Sequence, residues 1–144
     1  MIRDATAQSA RLAAARALVD DILIPAEARM DAEDRMPEAA RAALRAHGLF
    51  GISIPEAHGG LGLTMEEEAG LMLVLGRTAP AYRAVYALNS GGAAQILLRA
   101  GTEAQKARWL PGLAQGALIA CFCLSEAEAG SDAGAVQTRA VKDG

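Results

Sequence analysis

The chain has 144 residues, 52% hydrophobic and 22% charged, which gives one folded domain, or one and part of another, and excludes a disordered chain. Its 34 alanines against five aromatics favour helices packed through small side chains over a sandwich or barrel. A net charge of -3, with 14 basic residues scattered among 17 acids, excludes the basic face of a nucleic-acid binder.

In chain order, residues 6–23 place Leu12, Ala15, Val19 and Ile22 at three-and-four spacing, with Arg11, Arg16 and Asp20 off that stripe. This predicts an amphipathic helix, stopped by Pro25 and followed by a polar connector over 26–36. Pro37 opens a second helix, Glu38 favours its positive end, and Gly48 closes it after His47. Arg41 and Arg45 share a face and read as a solvated basic stripe.

Residues 49–63 hold Pro55, Gly59, Gly60 and Gly62 and predict a loop. The glycines permit positive φ and close backbone approach, but their spacing matches neither the P-loop nor the dinucleotide fingerprint, so a structural turn is expected. Thr64 and Glu67 form a capping box that starts a third helix. Residues 69–75 are apolar nearly all round, which predicts the most buried helix of the set. A fourth helix is expected over 81–99. Gly91 and Gly92 weaken it, and they allow either a tight helix crossing or a ligand to approach its backbone.

Thr102 and Gln105 make a second capping box, opening a helix that Pro111 breaks or bends and Gly116 ends. Strands are then expected over 119–124 and 136–141, with a turn-rich segment from Ser125 to Asp132 between them. Ser125 and Ser131 can donate to ring carbonyls or phosphate oxygens, and a tight turn at Gly130 can form an anion-binding concavity. On these grounds alone, cofactor binding and an ordinary strand–loop–strand both stay open. Asp143-Gly144 is a hairpin-turn signal, so the chain reads as cut off inside a second domain. The expected organisation is a helical domain over 1–116 and the beginning of a β domain over 117–144.

The longest apolar runs, 71–75 and 117–124, fall far short of the roughly 20 residues of a membrane span, so no membrane insertion is expected. Asp4 and Asp20 leave no secretory signal in the first twenty residues. Cys121 and Cys123 stand too close to serve as a framework disulfide, so a reduced, cytoplasmic protein is expected. Arg-for-Lys usage with abundant Ala points to a GC-rich bacterial genome. No metal site is expected.

The run 123–135, Cys-Leu-Ser-Glu-Ala-Glu-Ala-Gly-Ser-Asp-Ala-Gly-Ala, resembles the first signature of the flavin-dependent acyl-CoA dehydrogenases. Ile54-Pro55-Glu56 with Gly59-Gly60-Leu61-Gly62 is similar to the loop after that family's second helix. The stretches 101–106 (Gly-Thr-Glu-Ala-Gln-Lys) and 109–111 (Trp-Leu-Pro) are similar to a later helix opening and its Leu-Pro step. Phe122 stands where the family often has Tyr, and Ala127 where it usually has Pro.

The resemblance implies a mainly α chain: an N-terminal helical bundle plus the first strands of a middle β domain, with a C-terminal bundle lying elsewhere. It implies FAD as cofactor, with Phe122, Leu124 and Ser125 along the flavin ring, Gly130 in the turn, and Ser131 near both the pyrophosphate and the acyl-CoA thioester arm. The fourth helix with Gly91 and Gly92 would form part of the acyl-chain pocket. The implied reaction is α,β-dehydrogenation of an acyl-CoA thioester, in which a carboxylate takes the α-proton and flavin accepts the β-hydride. That base would come from the C-terminal bundle, so no catalytic residue is assigned in this chain and Glu126 reads as structural. The fragment alone is expected to be inactive. An electron-transfer flavoprotein or another acceptor, and a homo-oligomer for the full-length enzyme, complete what the resemblance implies. The alternatives are a non-catalytic helical interaction module and an acyl-CoA carrier with the same half-fold.

Overall fold

A carboxylate starts the first helix. Asp4 accepts the amides of Thr6 and Ala7, both at 2.9 Å, which satisfies two of the four orphan donors at a helix N-terminus. The computed structural model describes residues 1–143. Helix α1 (Ala5–Leu18) passes through a π turn (Val19–Leu23) directly into α2 (Ile24–Glu33). Two expectations are corrected here: Pro25 does not end the helix, and the polar stretch after it is helical as far as Glu33. A proline lacks the N–H and crowds the carbonyl four residues back, and the wider π turn immediately before Pro25 relieves that crowding. Burial secures the irregularity, since Val19 and Leu23 have no exposed surface and the hydroxyl of Tyr82 donates to the Leu23 carbonyl at 2.9 Å. The helix stops at Asp34, whose left-handed φ of 46° cannot continue it.

Pro37 precedes α3 (Glu38–Ala46), and Gly48, at φ 69°, turns the chain out of it. Arg41 and Arg45 reach Glu38 at 3.8 and 3.6 Å, and Arg45 Nε donates to the Gly116 carbonyl at 3.1 Å. Arg45 therefore braces α3 against the chain at Gly116, more than a merely solvated residue would, while Arg41 stays on its own helix. The glycine-rich loop is a structural turn, as expected. Its amides are used internally: Leu61 N–H donates to Gly51 O, Gly62 N–H to Ile54 O and Leu63 N–H to Ile52 O, at 2.8–2.9 Å. A Cβ on Gly60 would sit 2.0 Å from the Ile54 carbonyl oxygen, so only glycine lets these two backbone stretches meet.

Helix α4 (Met65–Leu75) carries the Thr64–Glu67 capping box in full. Among the described α-helices it has the largest buried share, as expected, with Glu67, Leu71, Val74 and Leu75 inside, but it is not enclosed all round. Leu71 and Leu75 face the core while Leu73 is 81% exposed, because α4 packs on α1 along one side only. Helix α5 (Pro80–Ala87) continues through a second π turn (Leu88–Ala93) into α6 (Ala94–Ala100). The second capping box opens α7 (Glu103–Ala114), which runs past Pro111 rather than breaking there. The carbonyl that Pro111 leaves unpaired belongs to Ala107, an exposed residue that water can satisfy.

The main core gathers Leu18, Leu44, Leu49, Phe50, Leu71 and Tyr82 among others. A smaller one joins Ile54, Ala94, Leu110 and Leu113 beneath α6 and α7. Among the described residues no strand forms, which corrects the expected strands over 119–124 and 136–141. A strand exists by pairing, and neither segment has a ladder partner here. Only a short 3-10 turn (Ala133–Ala135) interrupts this trailing segment. The Asp143-Gly144 turn falls partly outside the described residues. No helix among those described is long and apolar enough to cross a membrane.

Candidate functional site

The trailing segment begins where Gly116, at φ 65°, reverses the chain at the end of α7. A Cβ on Gly116 would lie 2.7 Å from the Phe50 ring, so the exit point is pressed onto the main core. The segment then runs over Asn89, which has no exposed surface. The Asn89 carboxamide donates to the carbonyls of Leu113 (3.0 Å) and Leu118 (2.7 Å) and accepts the Ala120 N–H at 2.8 Å. Its neighbour Ser90 points to another element: the Ser90 hydroxyl accepts the Ser53 N–H and meets the Ser53 hydroxyl, both at 2.8 Å. The π turn of α5–α6 therefore holds the glycine loop with one residue and the departing chain with the next.

Beyond Ala120 the segment turns outward. Phe122 is 57% exposed and Leu124 42%, and Ser125, Gly130 and Ser131 are exposed as well. A tight turn brings the two halves together: the Glu126 N–H donates to Ala129 O at 2.7 Å and the reverse bond is 3.4 Å, so Ser125 and Gly130 flank one turn. Ala129, under that turn, is the one buried residue among 117–143. A Cβ on Gly130 would meet nothing within 4 Å, so the turn is open to a ligand.

The signature's acids serve this loop. The Glu126 carboxylate accepts the amides of Gln137 (2.9 Å) and Thr138 (2.8 Å) as well as the Thr138 hydroxyl. The Thr138 hydroxyl, then the two amides, hold its pKa below the usual carboxylate range. A carboxylate committed in this way is a clamp and a poor base. Asp132 accepts the Gly134 amide at 3.1 Å. The sulfurs of the free thiols Cys121 and Cys123 lie 3.9 Å apart, and Cys121 raises the pKa of Cys123, which disfavours a reactive thiolate.

One groove adjoins the segment, and a second shares Gly91 with that groove. The first, of about 410 Å³, is lined by Gly91, Gly92, Gln95, Ile96, Arg99 and Phe122. A Cβ on Gly91 would meet nothing within 4 Å, so these glycines form no tight helix crossing; they leave the groove floor open instead. The second, of about 310 Å³, lies between α4 and α5 and includes Glu68, Met72, Arg83, Tyr86 and Gly91. Burial raises the Tyr86 pKa to about 12, with Arg83 lowering and Glu68 raising it, so the phenol stays protonated at neutral pH. Among the described residues no cluster of His, Cys, Asp and Glu is placed to hold a metal ion.

Sequence reasoning named Phe122, Leu124, Ser125, Gly130 and Ser131, and the fold gathers Ser125, Gly130 and Ser131 about one turn, with Phe122 at a groove. It missed Asn89. The residue's partners lie 24 to 31 positions away, and no local motif announces such a contact.

A family model described as "Acyl-CoA dehydrogenase, N-terminal domain" matches residues 6–117. The chain belongs to that family. It is 40% identical over 114 residues to the (2S)-methylsuccinyl-CoA dehydrogenase of Cereibacter sphaeroides, covering 78% of this chain and 20% of that protein. It is 38% identical to a probable acyl-CoA dehydrogenase, fadE25, of Mycobacterium leprae, covering 90% of this chain and 33% of that one. A solved chain described under "Electron transferring flavoprotein of Acidaminococcus fermentans: Towards a mechanism of flavin-based electron bifurcation" superposes with a TM-score of 0.84 at 28% identity. That match covers 95% of this chain and 36% of the other. The acyl-CoA dehydrogenase N-terminal domain thus accounts for the helices, and this chain spans 20–33% of the two curated relatives described. The structural likeness reaches past residue 117, into the segment that carries the candidate site.

Proposed function

We propose that this chain is the N-terminal portion of an FAD-dependent oxidoreductase that dehydrogenates acyl-CoA thioesters at the α,β bond. Residues 1–116 are its helical domain, and 117–144 lead into a second, β domain that the rest of the polypeptide supplies. One observation carries the reading: the signature-bearing segment leaves a family-typical helical body with its apolar and hydroxyl groups exposed beside an open groove.

The donor set fits a flavin. Phe122 and Leu124 offer apolar surface to a flat ring, Ser125 a hydroxyl to the ring edge, and the turn at Gly130 with Ser131 a polar surface for the pyrophosphate. Ser131 also reaches the thioester arm of the substrate. The flavin, when bound, supplies the hydride-accepting chemistry. The chain's own residues bind and orient: Glu126 keeps the loop folded, and the open floor at Gly91 and Gly92 admits part of the acyl chain. The proton-abstracting base belongs to another part of the polypeptide, so this piece alone is inactive. Electrons leave to an electron-transfer flavoprotein or another acceptor, and the full-length enzyme is a homo-oligomer.

Intact mass together with the visible spectrum of the protein from its natural host tests this. A yellow protein heavier than 14.9 kDa, whose flavin absorbance bleaches when a saturated acyl-CoA is added, is the expected result. A colourless chain that binds acyl-CoA without bleaching would identify a carrier, and one that binds neither would identify an interaction module.

A further inference from the structure

We infer that Asn89 is a positioning residue: from the second π turn, its carboxamide sets the direction in which the chain leaves the helical body toward residues 122–131. What the segment is positioned for rests on the flavin reading above; the tether itself stands on geometry alone.

A completely buried amide must find partners, and this one has three. The bond to the Leu113 carbonyl gives a second donor to an acceptor in the last turn of α7 that already takes the Gly116 N–H at 3.1 Å. An Asn kept only to cap α7 would need no more. The other two bonds go to Leu118 O and Ala120 N–H, groups two residues apart on the departing chain. That is the pairing one residue of a neighbouring parallel strand would make, its N–H to one carbonyl and its carbonyl to the N–H two residues on. The Asn89 carboxamide thus does the work of a strand partner and fixes register as well as direction. The register matters because Phe122 follows Ala120 by only two residues, about 7 Å of chain at full extension, so an error at Ala120 passes directly to the Phe122 ring and the Ser125 hydroxyl.

Ser90 shows that the turn is anchored on its other side. Its bonds to Ser53 hold the π turn against the glycine loop, and Gln95 Nε2 adds a bond to the Ser53 hydroxyl at 3.1 Å. The tether is therefore fixed at its base.

The test compares the FAD-binding protein with Asn89→Ala, following amide hydrogen exchange residue by residue and FAD affinity by fluorescence quenching. The unaltered protein is expected to protect the Ala120 N–H. In the variant that protection falls at least tenfold while α4 and α7 keep theirs, and the FAD dissociation constant rises about tenfold, as for a segment correctly placed in a tenth of the molecules. Unchanged exchange at Ala120 overturns the tether. Lost protection with an FAD affinity within twofold of the original overturns the positioning role. If Asn89→Ala fails to fold, Ala120→Pro removes the N–H that Asn89 accepts while leaving Asn89 in place, and Ile119→Pro, which restricts the same stretch but leaves the Ala120 N–H, is its control. A loss of FAD affinity in Ala120→Pro beyond that of the control supports the proposal, and an equal or absent loss overturns it. If the unaltered protein takes up no FAD, the flavin reading fails and the positioning role falls with it. The exchange result then decides the tether alone.

Discussion

The chain has two phenylalanines, and they live under different rules. Phe50 has no exposed surface and lies against Gly116 in the main core, whereas Phe122 is 57% exposed on a segment without helix or strand. Around Phe50, order comes from apolar burial, capping boxes and close backbone contact. Around Phe122 it comes from single polar side chains, Asn89 at the entrance and Glu126 at the turn. The first arrangement maximises stability and leaves nothing for a ligand to touch. The second leaves an aromatic ring, an aliphatic side chain and hydroxyls uncovered, and so gives up burial for an exposed surface that a ligand or another chain segment can reach.

Mutation should separate the two regions. Phe50→Ala is expected to destabilise the chain by about 3–5 kcal/mol, read from urea denaturation, because the core around it cannot fully collapse. Gly60→Ala comes next, at about 1–3 kcal/mol, since the Ile54 backbone must move to admit the new methyl; a lowered melting temperature checks it. Glu67→Gln tests the N-terminal brace. The Glu67 carboxylate accepts the Thr64 amide, then the Arg3 amide and guanidinium, and these hold its pKa down at about 2. Its folded pKa is depressed, so its stabilisation is complete above the ordinary carboxylate pKa of about 4.3 and is lost as pH falls from there to about 2. The melting-temperature gap between Glu67→Gln and the parent should therefore be open at pH 7 and close by pH 2. The smallest stability effects belong to Phe122→Ala and Ser125→Ala, within about 0.5 kcal/mol of the parent. Both should nevertheless weaken FAD binding in a titration, and equal affinity for all three proteins would remove the functional half of the comparison.

What could be read from the sequence was local. The boxes Thr64–Glu67 and Thr102–Gln105 act over three residues, and both formed. The loop glycines were legible for the same reason. Pro25 was misread, and the break allowed for at Pro111 does not occur, because the rule that proline ends a helix leaves out its two remedies, a widened turn and an exposed carbonyl. Leu73 was misread because apolar composition does not say how many neighbours a helix has. The strands were misread because pairing is non-local. The site divided along the same line: Phe122, Leu124, Ser125, Gly130 and Ser131 came from one contiguous motif. Asn89, which holds that motif's entrance, was invisible until the fold brought α5, α7 and the trailing segment together.

The second π turn makes the chain sensitive to residue count. Such a turn is an α-helix carrying one residue more than its hydrogen-bond pattern needs, so deleting Gly91 would let α5 and α6 join as one regular helix. Each residue of an α-helix advances about 100°, and the wider turn absorbs that extra step, so the deletion would leave α5 and α6 close to their present relative orientation and change mainly which side chains the turn itself presents. Asn89 and Ser53's partner Ser90 would then face away from their present contacts while the helix itself became more regular. In an alignment such a loss would look like a trivial gap. In the molecule it would exchange a helix that aims the chain for one that merely spans the same distance.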